Sequence, residues 1–238
     1  VEHGLFAEVR RRLGLGAEVE LLDPAAPGGW KDRAEVLSER VARAPRPVVA
    51  VAHGLALPAV FAASGFAGVL AMDGPITRLD PVSSLLARVA GASPRLLANL
   101  VRPGPWVGWL SSSAGLRRAV MNPYAMDRDT VGALAMSRVE TAAGRACLVA
   151  YLSSLVDPLP GLDGLPPRAG VCWGGADGLY PASEMDFFVA RRPGGFVRVI
   201  PGGKLMHPVE QPWAVADAVG EFLSEFSRNA AGATSVSG

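Results

Sequence analysis

Three short apolar runs constrain this chain more than anything else in it: VVAVA at 48–52, GVLAM at 68–72 and AGVCW at 169–173, each followed within two residues by Gly or Asp. An uninterrupted apolar run of this length is what a strand needs when both of its faces are covered. Two further strands are expected over Phe196–Ile200 and Ala17–Leu22. Helical stretches separate the strands, over residues 6–13, 30–43, 58–64, 182–191 and 210–226, with Pro58 placed where a first helical turn tolerates it. Strands alternating with helices predict an α/β fold: a mostly parallel sheet covered by helices on both faces.

From Arg78 to Pro160 the alternation stops, and four helices are expected, over 81–90, 94–101, 106–121 and 129–155. A helical block between two strands of such a sheet predicts a lid over the carboxyl edge, where these sheets bind ligands. Trp106, Trp109, Tyr124 and the methionines of this block suit either the apolar wall of a pocket or the small core of the lid itself. The chain therefore divides into a core (1–77 and 161–227), an inserted lid (78–160) and a small polar tail (228–238) expected to be disordered.

The 238 residues suffice for one such domain. A net charge of +1 gives no electrostatic case for nucleic acid or an anionic membrane as partner. Arg10, Arg11 and Arg12 read as a solvated helix face. No apolar run approaches the roughly 20 residues of a membrane span, and the opening stretch lacks the apolar centre of a signal peptide. A soluble cytoplasmic protein is the expectation. Cys147 and Cys172, the only cysteines, read as small buried hydrophobes. No cofactor and no metal are expected.

The chemistry-bearing motifs lie where the strands end. Residues 48–63 read as strand, tight turn and helix. At the turn, Ala52-His53-Gly54-Leu55-Ala56 fits the small-x-nucleophile-x-small pattern of a nucleophile elbow, with glycine at its centre. Trp173-Gly174-Gly175-Ala176-Asp177 follows another strand and leads to Pro181. Ile200 to His207 follows the next and precedes the last helix. His3-Gly4 opens the chain.

In this order the four motifs resemble the α/β-hydrolase superfamily, from Val1 to about Phe226. The resemblance implies that Asp177 is the acid, His207 the base and Gly54 the vacant nucleophile position. It implies an oxyanion hole made by the backbone N–H groups of Leu55 and Leu5, which needs no side chain at Gly54. His53 reads as a support residue. Asp73 reads as a turn residue, although some relatives carry their acid at that point, which makes it the alternative second carboxylate. Ser64, Ser111 to Ser113 and Cys172 are wrongly placed to replace the nucleophile. The resemblance also implies a central strand ahead of His3-Gly4, of which only Val1 and Glu2 stand in this sequence, so a longer gene product is expected.

The expected activity is hydrolysis of a small apolar carbonyl-containing substrate (an ester, or a related acyl or C–C bond) by a His-Asp pair without a serine nucleophile. The alternative is a non-catalytic homologue acting as a ligand-binding or interaction module.

Overall fold

A computed structural model of the chain describes residues 6–14, 28–102, 104, 108, 112–122, 130 and 139–234, with side chains as far as Glu225. Among them are four strands: β1 (Val49–His53), β2 (Gly68–Met72), β3 (Ala169–Gly174) and β4 (Phe196–Ile200). They form one sheet in the order β1-β2-β3-β4, and every pairing is parallel. The register sets His53 beside Met72 and Gly174 beside Ile200, so the residues that follow the strands emerge together at one edge. The strand expected over Ala17–Leu22 and the loop His3-Gly4 lie outside the described residues.

Both faces of the sheet are covered, as the apolar runs require. On one face Val69, Ala71, Val171 and Trp173 pack with Ala34 of α2 (Trp30–Arg43), Phe61 of α3 (Leu57–Ala62) and Phe188 of the helix Ala182–Arg191. On the other, Leu70, Met72 and Cys172 pack with Val9 of α1 (Ala7–Leu13) and with Val215 and Phe222 of the last helix. Successive strand residues thus enter different cores, which is the period-two geometry of a strand. Each fully buried Leu or Met of β2 contributes roughly 1.5–3 kcal/mol by leaving water.

Between β2 and β3 the described elements are all helical: α4 (Pro81–Ala92), α5 (Pro94–Leu100), α6 (Ser113–Ala119) and α7 (Ala142–Ser154). The first two start where the sequence directs them to. The Asp80 side chain accepts from the N–H groups of Val82 and Ser83, and the Ser93 hydroxyl accepts from Leu96, with Pro at the first helical position each time. The block has a core of its own, in which Ala87, Leu97, Val101 and Leu152 pack against Trp30 and Ala59. The helix expected over 129–155 is broken: Thr141 takes an extended conformation and caps α7 through a bond from the Gly144 N–H at 2.9 Å. Trp106, Trp109 and Tyr124 lie outside the described residues.

After β3 come α8 (Ala182–Arg191), β4, the single turn α9 (His207–Glu210) and α10 (Pro212–Thr234). The last helix continues past Phe226 into the stretch expected to be a polar tail. Its Ala-rich composition, with no proline, offers the helix nothing to stop at. No helix among the described residues is long and apolar enough to cross a membrane.

Candidate active site

The elbow forms as its sequence dictates. β1 ends at His53, Gly54 takes φ +61°, and a 3-10 turn over Gly54–Ala56 leads into α3. Only glycine adopts that left-handed conformation without steric cost. A Cβ built on Gly54 would meet its nearest neighbours, the Asp73 carbonyl and Leu205 Cδ1, at 3.9 Å, which is ordinary contact. The position is empty of a side chain and has room for one. The Leu55 N–H belongs to the first turn of this helix and so has no intrahelical acceptor, while the Leu55 carbonyl accepts a hydrogen bond from the Tyr151 hydroxyl of α7. Leu5, the other expected oxyanion donor, lies outside the described residues.

Asp73 immediately follows β2 and holds three loops together. Its carbonyl accepts from Gly54 N at 2.9 Å, and its Oδ1 accepts from Gly174 N at 2.7 Å. Its Oδ2 lies 2.6 Å from His207 Nδ1, with both side chains fully buried. The backbone of Asp73 sits at φ +27°, a conformation a non-glycine residue rarely keeps unless its surroundings impose it. Gly74 is pressed against the elbow, since a Cβ there would fall 2.4 Å from the Gly54 carbonyl oxygen.

His207 starts α9. Besides its contact with Asp73, Nδ1 lies 2.9 Å from the Lys204 carbonyl, and only the carbonyl meets the angular requirement of a hydrogen bond; the carboxylate stands off the N–H axis. Both neighbours of Nδ1 are acceptors, so the ring proton sits on Nδ1. Nε2 is then the lone-pair nitrogen, and it is buried without a hydrogen-bond partner among the described residues. His53 Nε2 lies 2.7 Å from the Leu205 carbonyl and so carries its own proton there. Its ring stands edge-on to that of His207 at 6.1 Å between centroids.

The geometry differs from the expected pairing of His207 with Asp177. The carboxylate against His207 is Asp73, not Asp177. Asp177 is close enough for its charge to interact with both, but its Oδ1 is spent on its own turn, accepting from Leu179 N at 2.7 Å and Tyr180 N at 3.1 Å. Its Oδ2 is buried without a hydrogen bond. Burial pushes the Asp177 carboxyl up to about 6, and the neighbouring Asp73 charge adds to the rise. Cys172, two residues before the end of β3, is fully enclosed. Burial first, and the charge of Asp73 second, push its thiol up to about 12, which removes it as a nucleophile.

Two supports were not visible in the sequence. Glu184 of α8 reaches back to the loop after Asp73, where its carboxylate accepts from Ile76 N at 2.9 Å, Thr77 N at 2.6 Å and the Thr77 hydroxyl at 2.6 Å. Glu210, on the same helical turn as His207, accepts from the N–H groups of Met121 and Asn122 in the inserted block. Nothing in the spacing of either glutamate announces a partner so distant in sequence. Among the described residues no group of His, Cys, Asp or Glu is arranged to hold a metal ion. An open groove of about 470 Å³ between α1 and α10, lined by Arg12 and Trp213, shares no residue with the site.

No family model matches the chain, and no curated protein matches it in sequence. Solved structures match it in fold. A thermophilic esterase from Thermogutta terrifontis superposes with a TM-score of 0.68 at 18% identity, over 93% of this chain and 85% of that one. An alpha/beta hydrolase fold protein from Burkholderia ambifaria gives 0.62 at 16%, over 85% of this chain and 76% of that one. A histidine-to-alanine variant of tomato methylketone synthase I, complexed with β-ketoheptanoate, gives 0.56 at 15%, over 93% and 92%. At these identities the likeness speaks to architecture alone: the parallel sheet and covering helices of this chain match those of proteins with the α/β-hydrolase fold.

Proposed function

We propose that this protein is a hydrolase of small, uncharged carbonyl compounds in which His207 activates water directly, Gly54 having left the usual nucleophile position open. The observation that supports it most is the imidazole itself: fully buried, its Nδ1 bonded to the Lys204 carbonyl beside the Asp73 carboxylate, and presenting a bare Nε2. A buried polar atom without a partner costs roughly 1–3 kcal/mol, and a site that awaits a water or substrate proton accounts for that cost.

In the proposed reaction Nε2 takes a proton from water as the water oxygen bonds to the carbonyl carbon. The Asp73 carboxylate stabilises the imidazolium that forms, and the Leu55 N–H faces the developing oxyanion, with Leu5 as its expected second donor. The imidazolium returns the proton to the leaving oxygen or nitrogen as its bond to carbon breaks. Two buried carboxylates beside one histidine disfavour an anionic substrate, so an ester suits the site better than a keto acid. The inserted helices act as the lid, and no cofactor takes part.

The glycine favours one other reading, a non-catalytic homologue that binds a ligand or partner through the same fold. Hydrolysis of a panel of short p-nitrophenyl esters by the wild type and by the His207→Ala and Gly54→Ser variants separates the two. Turnover by the wild type that His207→Ala abolishes is expected. Silence in the wild type with activity gained in Gly54→Ser would overturn direct water activation, and silence in all three would favour the binding module.

A further inference from the structure

We infer that Glu210 is a positioning residue that ties the orientation of His207 to the seating of the inserted helical block. The inference rests on the proposed role of His207 and adds to it a part played by the insertion. It starts from how α6 ends. The last carbonyls of a helix have no intrahelical partner, and the N–H groups that would extend α6 beyond Val120 are those of Met121 and Asn122. Glu210 takes both, through Oε2 at 2.7 Å and Oε1 at 3.0 Å. Two carbonyls at the end of α6 are claimed by the histidine loop in return: Arg117 O accepts from Lys204 Nζ at 2.6 Å, and Ala119 O accepts from Met206 N at 2.8 Å. Leu116 and Val120, both buried, pack on Met206. The end of α6 is thus capped by the turn that carries His207, and that turn is held by the end of α6.

Each of these bonds reaches His207 within one step. Lys204 supplies the carbonyl that accepts both from the His207 main-chain N–H at 2.8 Å and from its Nδ1. Met206 precedes it, and Glu210 closes the single turn His207–Glu210. The imidazole also has no bond at Nε2 to hold it, and its Asp73 contact lies off the N–H axis. Its aim is therefore set by the turn it stands on, and the bonds from Met121 and Asn122 to Glu210 are, beside those at Arg117 and Ala119, part of that turn's anchorage that would release if the block lifted.

The test is to compare wild type, Glu210→Gln and Glu210→Ala in the full chain, by ester turnover and by exchange of the His207 Nδ1 proton followed by NMR. Gln keeps one acceptor oxygen and the length; Ala keeps neither. The expected result is a fall in kcat of about 10- to 100-fold in Glu210→Ala with KM little changed, a smaller fall in Glu210→Gln, and an Nδ1 proton that exchanges about tenfold faster in Glu210→Ala. A folded Glu210→Ala whose Nδ1 proton exchanges as in the wild type would overturn the inference, as would a Glu210→Gln no better than Ala in both readouts. The exchange measurement needs no turnover, so it tests the coupling even if the wild type proves inactive on esters.

Discussion

The main-chain N–H of Gly54 donates to the carbonyl of Asp73 at 2.9 Å, so the elbow and the carboxylate that faces His207 are parts of one hydrogen-bonded turn. Gly74, next in the chain, lies so close to the Gly54 carbonyl that no side chain fits between them. Gly54, Asp73 and His207 are consequently held together by packing and hydrogen bonds among the strand ends, with no contribution from a side chain at position 54.

That arrangement separates the two acids. Asp73→Asn should lower kcat steeply, by up to about 10⁴-fold, because the amide cannot stabilise the imidazolium and offers Nδ1 a donor in place of an acceptor. Asp177→Asn should change kcat by less than about tenfold, since its Oδ1 bonds to Leu179 and Tyr180 survive the substitution. Steady-state rates of the two variants on one ester decide which carboxylate serves His207.

Asp177 also makes stability fall with pH in a definite window. Its carboxyl is raised from 3.8 to about 6 in the folded protein, so the folded state holds this proton more tightly than the unfolded state. The associated stabilisation is complete below about pH 4 and is lost as pH rises through about 6, a loss of roughly 3 kcal/mol. Urea unfolding of the wild type and Asp177→Asn at several pH values should show the difference between them growing from pH 4 to pH 7 in favour of the variant. A difference that is flat over this range would contradict the assignment.

Two glycines should respond unequally to a side chain. Gly54→Ser finds room but a left-handed backbone, and should lower stability by about 1 kcal/mol while leaving the fold intact. Gly74→Ala drives a Cβ into Leu57 and the Gly54 carbonyl and should cost about 3 kcal/mol or more. Thermal melts of the two variants check the order.

Glu184→Ala strips three donors of their acceptor beneath the Asp73 loop and should cost about 3–5 kcal/mol, with a loss of turnover larger than the loss of folded protein explains. Glu184→Gln keeps two acceptor sites on one oxygen and should recover part of both. Chemical denaturation and kcat measured on the same samples separate the effects.

Cys172 should resist thiol reagents in the native protein and react only on unfolding, because burial holds its thiol near 12. Fast labelling of Cys172 at pH 8 without denaturant would contradict the enclosed position given to β3.

Strand identity was legible because the strands are covered on both faces: the runs at 48–52, 68–72 and 169–173 could be little else, and their observed bounds differ by one residue at most. The elbow was legible for the same local reason, a glycine turn joining a strand to a helix. Helix ends set by a single side chain were harder, and Thr141 divides what periodicity alone reads as one long helix. The partner of His207 was not legible. Asp73 and Asp177 both follow strands at the same edge, and which of them lies against His207 depends on which carboxylate its own turn consumes, something no spacing records. The glutamates at 184 and 210 were hidden for a simpler reason, since they meet backbone groups 108 and 89 residues away.

The bond from Tyr151 to the Leu55 carbonyl gives the helical insertion a further attachment, besides those at Glu210 and at Trp30. An insertion fastened at both the elbow and the base is not a portable module. A chimaera that exchanged it for a segment of another protein of this fold would have to reproduce those donors, or leave the Leu55 carbonyl and the Glu210 carboxylate without their partners. Changes of specificity in this scaffold are then easier to reach by single substitutions inside the insertion than by replacing it whole.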